Sequence, residues 1–141
     1  MDYCSLEDLR REIGPGELAA LTAESGPNPD PEVVAAAIAG AGAEIEAYLG
    51  KRYELPLPEV PPLVKALGAT LAIYRLYGRR GVVPEPWQRR RAEAQQYLED
   101  LAAGRLDLVD NQGQRLAGRV VAVQGLAPGR RVFKRETLEN F

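Results

Sequence analysis

Pro56, Pro58, Pro61 and Pro62 fall within one short stretch of this 141-residue chain, and they divide it into helical pieces that cannot merge. Each proline removes a backbone donor and pushes the residue before it toward extended geometry. Arg52 to Pro62 therefore reads as a stiff connector carrying apolar side chains. On its N-terminal side Asp30 can cap a helix, and Pro31 fits the first turn, where a missing N–H costs nothing. Val33, Val34, Ala37, Ile38, Ala41, Ile45, Tyr48 and Leu49 then recur at helical spacing, and Gly50 is placed to close the helix. Ala36, Ala39, Gly40 and Gly42 keep this helix thin, which admits a close neighbour. On the connector's C-terminal side a helix starts near Pro62, buries Leu63, Leu67, Leu71, Ile73 and Tyr74, and is expected to close at Gly78. Gly81 to Pro86 forms a second proline-bounded turn. A helix from about Glu85 to Ala103 follows, with Trp87, Ala94, Tyr97, Leu98 and Leu101 at core spacing and Gly104 as its stop.

The N-terminal region gives a shorter helix, Ser5 to Ile13, capped by Ser5 with Asp8 in the position of a capping-box partner. Gly14-Pro15-Gly16 halts it, Glu17 to Leu21 supplies another turn or two, and Ser25 to Pro29 is a loop. Short connectors between such helices indicate a bundle. The chemistry changes after Gly104. Arg105–Val109, Arg119–Val123 and Arg131–Lys134 read as short strands, with turns at Asp110–Gly113 and Ala127–Gly129. A lone hairpin is marginal in water, so this tail needs something to lie on: its own helices, a neighbouring subunit or another protein. The expected fold is mainly α, a small helical bundle over residues 1–104 with a short extended or β C-terminal tail over 105–141.

Composition removes several functions. There is one cysteine and no histidine, so zinc ligation and the common Ser-His-Asp and Cys-His machineries lack their parts. Glu44 with Glu46, or Glu99 with Asp100, could only be imagined as catalytic pairs, since adjacent helix positions point apart. No catalytic, cofactor or metal residue is expected, and the chain is read as non-enzymatic. A net charge of −2 argues against a duplex-DNA binder, which draws on summed positive potential. No apolar run approaches the ~18 residues of a membrane span and the start lacks a signal peptide's blocks, so a cytoplasmic protein is expected. The arginine groups Arg79-Arg80, Arg89-Arg90-Arg91 and Arg130-Arg131 suit solvated helix ends first. Arg89, Arg90 and Arg91 are also the candidate docking surface for a partner, with phosphate contact the smaller alternative. Tyr53, Tyr74, Tyr77, Trp87 and Tyr97 suit the core better than a stacking platform. Pro58-x-x-Pro61 suits a rigid connector better than a peptide ligand. Val132, Phe133, Arg135, Leu138 and Phe141 alternate apolar and basic character as a contact segment would.

Several short pieces, in their order and spacing, resemble a phage Mu-like prophage protein family. They are Tyr3-x-Ser5-x-x-Asp8-Leu9, Gly50-Lys51-Arg52-Tyr53-Glu54-Leu55-Pro56-Leu57, Val60-Pro61-Pro62-Leu63, Ala72-Ile73-Tyr74-Arg75-Leu76-Tyr77 and Tyr97-Leu98-x-x-Leu101-Ala102-x-Gly104. The ending, Arg131 to Phe141, is similar to that family's terminus, while Asp110 to Gly129 is longer and richer in strand signals. The resemblance implies likeness to the head–tail connectors of long-tailed phages. The chain would then be a virion structural protein, a homo-oligomer forming a portal-matched ring between portal protein and a tail-side connector, monomeric until it meets them. DNA would be cargo passing the channel. The alternative is a small helical nucleic-acid-binding or regulatory module.

Overall fold

The structure, a computed structural model, describes residues 2–118. Four helices follow one another: α1 Leu6–Thr22, α2 Pro31–Leu49, α3 Pro62–Arg80 and α4 Glu85–Ala103. The mainly α small bundle is the observed fold.

Local chemistry explains most boundaries. At α1 the capping box closes in both directions, with Ser5 Oγ accepting from Asp8 N at 3.3 Å and Ser5 N donating to Asp8 Oδ2 at 2.8 Å. An aspartate thus does what Glu or Gln usually does. The two expected N-terminal pieces form one helical run with a break at Gly14, whose φ of 80° and ψ of 154° are not helical. Pro15 just after it has no N–H to continue the ladder. Asp30 caps α2 through Glu32 N at 3.0 Å, ahead of Pro31. Gly50 does not use left-handed geometry: its φ is −61°, and the turn runs on through Tyr53 N donating to Leu49 O at 2.8 Å. What Gly50 supplies is room, because a Cβ there would lie 3.0 Å from the carbonyl oxygen of Glu46. α3 passes the expected stop at Gly78 and ends at Gly81, which has the left-handed φ of 95°. A lone helical glycine costs only about 1 kcal/mol, and Arg79 and Arg80 beyond it are anchored elsewhere, as described below.

α2 and α3 form the central pair, and α1 and α4 each pack on both. The core runs through Val34, Ile38, Ile45 and Leu49 of α2, Val64, Leu71, Ile73 and Leu76 of α3, and Leu98 and Leu101 of α4. Each such aliphatic side chain stabilises the fold by roughly 1.5–3 kcal/mol through burial. The thin face of α2 is used in part. Ala41 and Gly42 are buried, whereas Ala36 and Ala39 are exposed. The Arg75 guanidinium lies across Gly40, where a Cβ would sit 2.8 Å from Nη1. A second thin point is Gly68 of α3, against Tyr3 and Cys4. The segment before α1 is thereby drawn into the core, and Tyr3 donates its hydroxyl to Glu46 Oε2 at 2.9 Å. Of the aromatics expected inside, Tyr53, Tyr77 and Trp87 are buried and Tyr74 is half-buried. Tyr97 is not: it is 46% exposed, because Ala94, Leu98 and Leu101 take the inward positions and leave it on the outer face of α4.

After α4 the chain makes a small hairpin-like excursion. The strand expected at Arg105–Val109 reduces to one antiparallel bridge, Val109 with Arg115, since the Asp110 carboxylate gathers the turn by accepting from Gln112 N and Gln114 N. Leu108 is buried on the body, Leu106 and Leu116 are packed against it, and Tyr53 Oη accepts from Leu108 N at 3.1 Å. Residues 105–118 thus lie on the protein's own helices.

Candidate interaction surfaces

The arginine groups divide once the helices pack. Arg91 is held: Nη2 lies 2.7 Å from Glu44 Oε2, Nη1 donates to Gln95 Oε1 at 2.7 Å, and the guanidinium stands over the Tyr74 ring. Glu44 also takes Arg75 at 3.4 Å, so one carboxylate of α2 ties α3 and α4 together. Arg90 pairs with Glu12 of α1 at 3.5 Å and covers the Trp87 ring at 4.3 Å. Arg89 is exposed, with no ion pair among the described residues. Of the three arginines singled out as a docking surface, two brace the bundle and one faces outward. Arg79 and Arg80 behave as braces too. They donate to Leu21 O at 3.1 and 3.2 Å, and Arg80 reaches Ala23 O at 3.0 Å, supplying the donors that the C-terminal carbonyls of α1 lack.

Arg52 is the residue that sequence reasoning missed. Its Nη1 donates to Leu101 O and Leu106 O at 2.9 Å each, and Nη2 meets Asp107 Oδ1 at 2.6 Å. It holds the end of α4 and the start of the excursion against the end of α2. The Asp107 carboxyl is held below its ordinary range, first by this hydrogen bond, with Arg115 adding to the effect. Farther on, Gly118 lies close to the Arg52 backbone, a Cβ there being 3.3 Å from its carbonyl oxygen. Val132, Phe133, Arg135, Leu138 and Phe141 lie outside the described residues, as do the strands expected at 119–123 and 131–134.

Beside that excursion a hollow of about 310 Å³ opens between α1 and the start of α3. Val60, Pro62, Ala66 and Ala69 line it, with Asp8, Glu12, Arg11 and Lys65 at its edges. It continues past Glu7 toward Asp2. Asn111, whose N–H donates to Glu59 Oε2 at 3.2 Å, brings the tip of the excursion to its lip.

The carboxylate pairs do not converge. Glu44 faces Arg75 and Arg91, whereas Glu46 meets Tyr3. Glu99 accepts from Gln95, and Asp100 from Gln96 and Arg105. Among the described residues no group of His, Cys, Asp and Glu is placed to hold a metal ion, and no helix is long and apolar enough to cross a membrane. The Pro58-to-Pro61 stretch is part of the fold, since Leu57 and Pro61 are buried.

These features define a small helical bundle braced by arginines, with residues 105–118 laid against it. The chain belongs to the family described as Bacteriophage Mu, Gp36, whose model matches residues 3–123. It is thereby a member of a phage protein family. No curated protein matches it.

Proposed function

We propose that the chain is a non-catalytic head–tail joining protein, a ring-forming adaptor at the portal vertex of a phage or prophage head. Its partners on this reading are further copies of itself, the portal protein and a tail-side connector. It acts during assembly in the host cytoplasm and then in the virion, with DNA only passing through. Family membership across residues 3–123 supports the phage setting and carries the reading. The chemistry of an assembly part supports the rest: helices tied together by arginine contacts, followed in sequence by a basic, apolar segment. In that segment Val132, Phe133, Arg135, Leu138 and Phe141 are the partner-contacting residues, and exposed Arg89 is the member of the arginine group free to join them.

The test is genetic. Deleting the gene from an inducible prophage should leave filled heads and finished tails that do not join, with joining restored by supplying the protein. Normal yields of joined particles without the gene would remove the proposal.

A further inference from the structure

The outer face of α4 carries four side chains that the fold leaves unused. Pro86, Arg89, Glu93 and Tyr97 are all exposed, and among the described residues none of the four side chains enters an ion pair, a hydrogen bond or a ring contact. Their neighbours differ. Arg90 and Arg91 pair with Glu12 and Glu44, Glu99 accepts from Gln95, and Asp100 from Gln96 and Arg105. Steps of three, four and four positions place the four on one stripe ~16 Å long. Arg89 and Glu93 stand one turn apart with opposite charge and do not join, the arginine-first order being the weaker arrangement on a helix. Tyr97 is one of three large apolar side chains exposed among the described residues, and the other two, Val82 and Val109, lie outside the helices. Beside it lies a shallow hollow of about 220 Å³ among Glu93, Gln96 and Asp100.

From the structure we infer that this stripe pairs with itself: α4 of one copy lies antiparallel against α4 of a second copy, with the twofold axis near position 91. In an antiparallel pair, residues at equal distances on either side of the axis face one another. Arg89 then meets the second copy's Glu93, and Pro86 meets the second copy's Tyr97 ring beside the hollow. Each contact repeats across the axis, giving two ion pairs between two proline–tyrosine contacts. Charge sets the direction, since a parallel pair would oppose Arg89 to Arg89 and Glu93 to Glu93. Such a contact is isologous and closes on two copies. It therefore adds to the ring contacts of the proposed function without making them, and it does not depend on the joining role. One helix face buries less than the ~800 Å² per partner of a stable complex, so the dissociation constant lies between about 1 µM and 1 mM. The isolated chain is a reversible dimer at high concentration, where the family resemblance implies a monomer.

The experiment is sedimentation equilibrium of the full-length chain across that concentration range. The mass should rise toward twice that of the chain and no further. Arg89→Glu and Glu93→Arg, each alone, should weaken association at least about tenfold. Helical circular dichroism should not change, because neither side chain is used inside the fold. Mixed in equal amounts, the two variants should associate as the parent does, since two acids then meet two arginines across the axis. Tyr97→Ala should weaken the parent about tenfold. A parent that stays monomeric throughout would overturn the pairing, as would single reversals that associate like the parent or a mixture that stays dissociated. Growth past two copies that the single reversals abolish would reassign the face to a head-to-tail contact and overturn the twofold axis. None of these results bears on particle joining, which the gene deletion reads separately.

Discussion

Arg52 and Asp107, separated by 55 positions in sequence, meet at 2.6 Å between Nη2 and Oδ1. The same guanidinium spends its other nitrogen on the carbonyls of Leu101 and Leu106. Arg52→Ala should therefore release residues 105–118 without melting the helices. Hydrogen exchange at Leu108 N and Leu116 N should quicken by the loss of roughly 2–3 kcal/mol of local stability. α2 and α3 amides should be unaffected. Arg52→Lys should restore little, because one ammonium cannot serve three acceptors at the corners of a planar fork. Unchanged exchange in Arg52→Ala would show that Tyr53 and Leu108 hold the excursion alone.

Asp107 gives the same region a pH dependence. Its carboxyl is depressed below the ordinary aspartate range by Arg52 and Arg115. A depressed folded-state value means the stabilisation is present above the unfolded aspartate range and is lost as pH falls through the folded one. Protection factors at Leu108 and Leu116, referred to the intrinsic exchange rate at each pH, should thus fall on acidification before the global acid transition. Asp107→Asn should flatten that early step.

The arginines of α4 should separate by mutation. Arg89→Ala should leave thermal stability within about 0.5 kcal/mol of the parent. Arg91→Ala should lower it by about 1–2 kcal/mol, since Glu44 then keeps only the longer contact to Arg75. A double-mutant cycle between Glu44 and Arg91 should give a coupling of roughly 1 kcal/mol. With two of the three arginines engaged internally, duplex DNA should bind no tighter than the non-specific range of ~10⁻⁴–10⁻⁶ M near 0.15 M salt. Sub-micromolar affinity lost in the triple alanine variant would favour a nucleic-acid-binding module instead.

Cys4 sits buried against Gly68, and burial first, then the nearby Asp8 and Asp2, pushes its thiol up to about 12. Ellman's reagent at pH 8 should leave it unmodified in the native protein and modify it fully in denaturant. As pH rises past the unfolded thiol's value, the unfolded chain ionises while the folded one does not, so stability should decline through the alkaline range. Fast native labelling would mean that the segment before α1 opens readily.

Much of this architecture is legible in the sequence, because caps and prolines act locally. Asp30-Pro31, Ser5 with Asp8, and the connector ending at Pro62 each set a boundary through chemistry within a few residues. The misplacements share a different cause. Gly78 looks like a stop until Arg79 and Arg80, the next two residues, are seen reaching α1. Tyr97 keeps core spacing but loses the inward face to Leu98 and Leu101. Arg52 opens the proline-rich connector, and nothing near it in sequence names Leu101, Leu106 or Asp107 as partners. Long-range polar pairing leaves no periodic trace, so the braces and the anchor become visible only in three dimensions.

The bonds from Arg79 and Arg80 to the end of α1 carry an implication for synthesis. α1 closes on Ala23 without a left-handed residue or a basic side chain in its own last turn, and its donors come from positions 57 to 59 residues downstream. As the chain leaves the ribosome, its first helix stays unfinished at one end until the last turn of α3 has emerged. Nascent chains cut short before Arg79 should expose that end to protease, and chains extended past it should protect it.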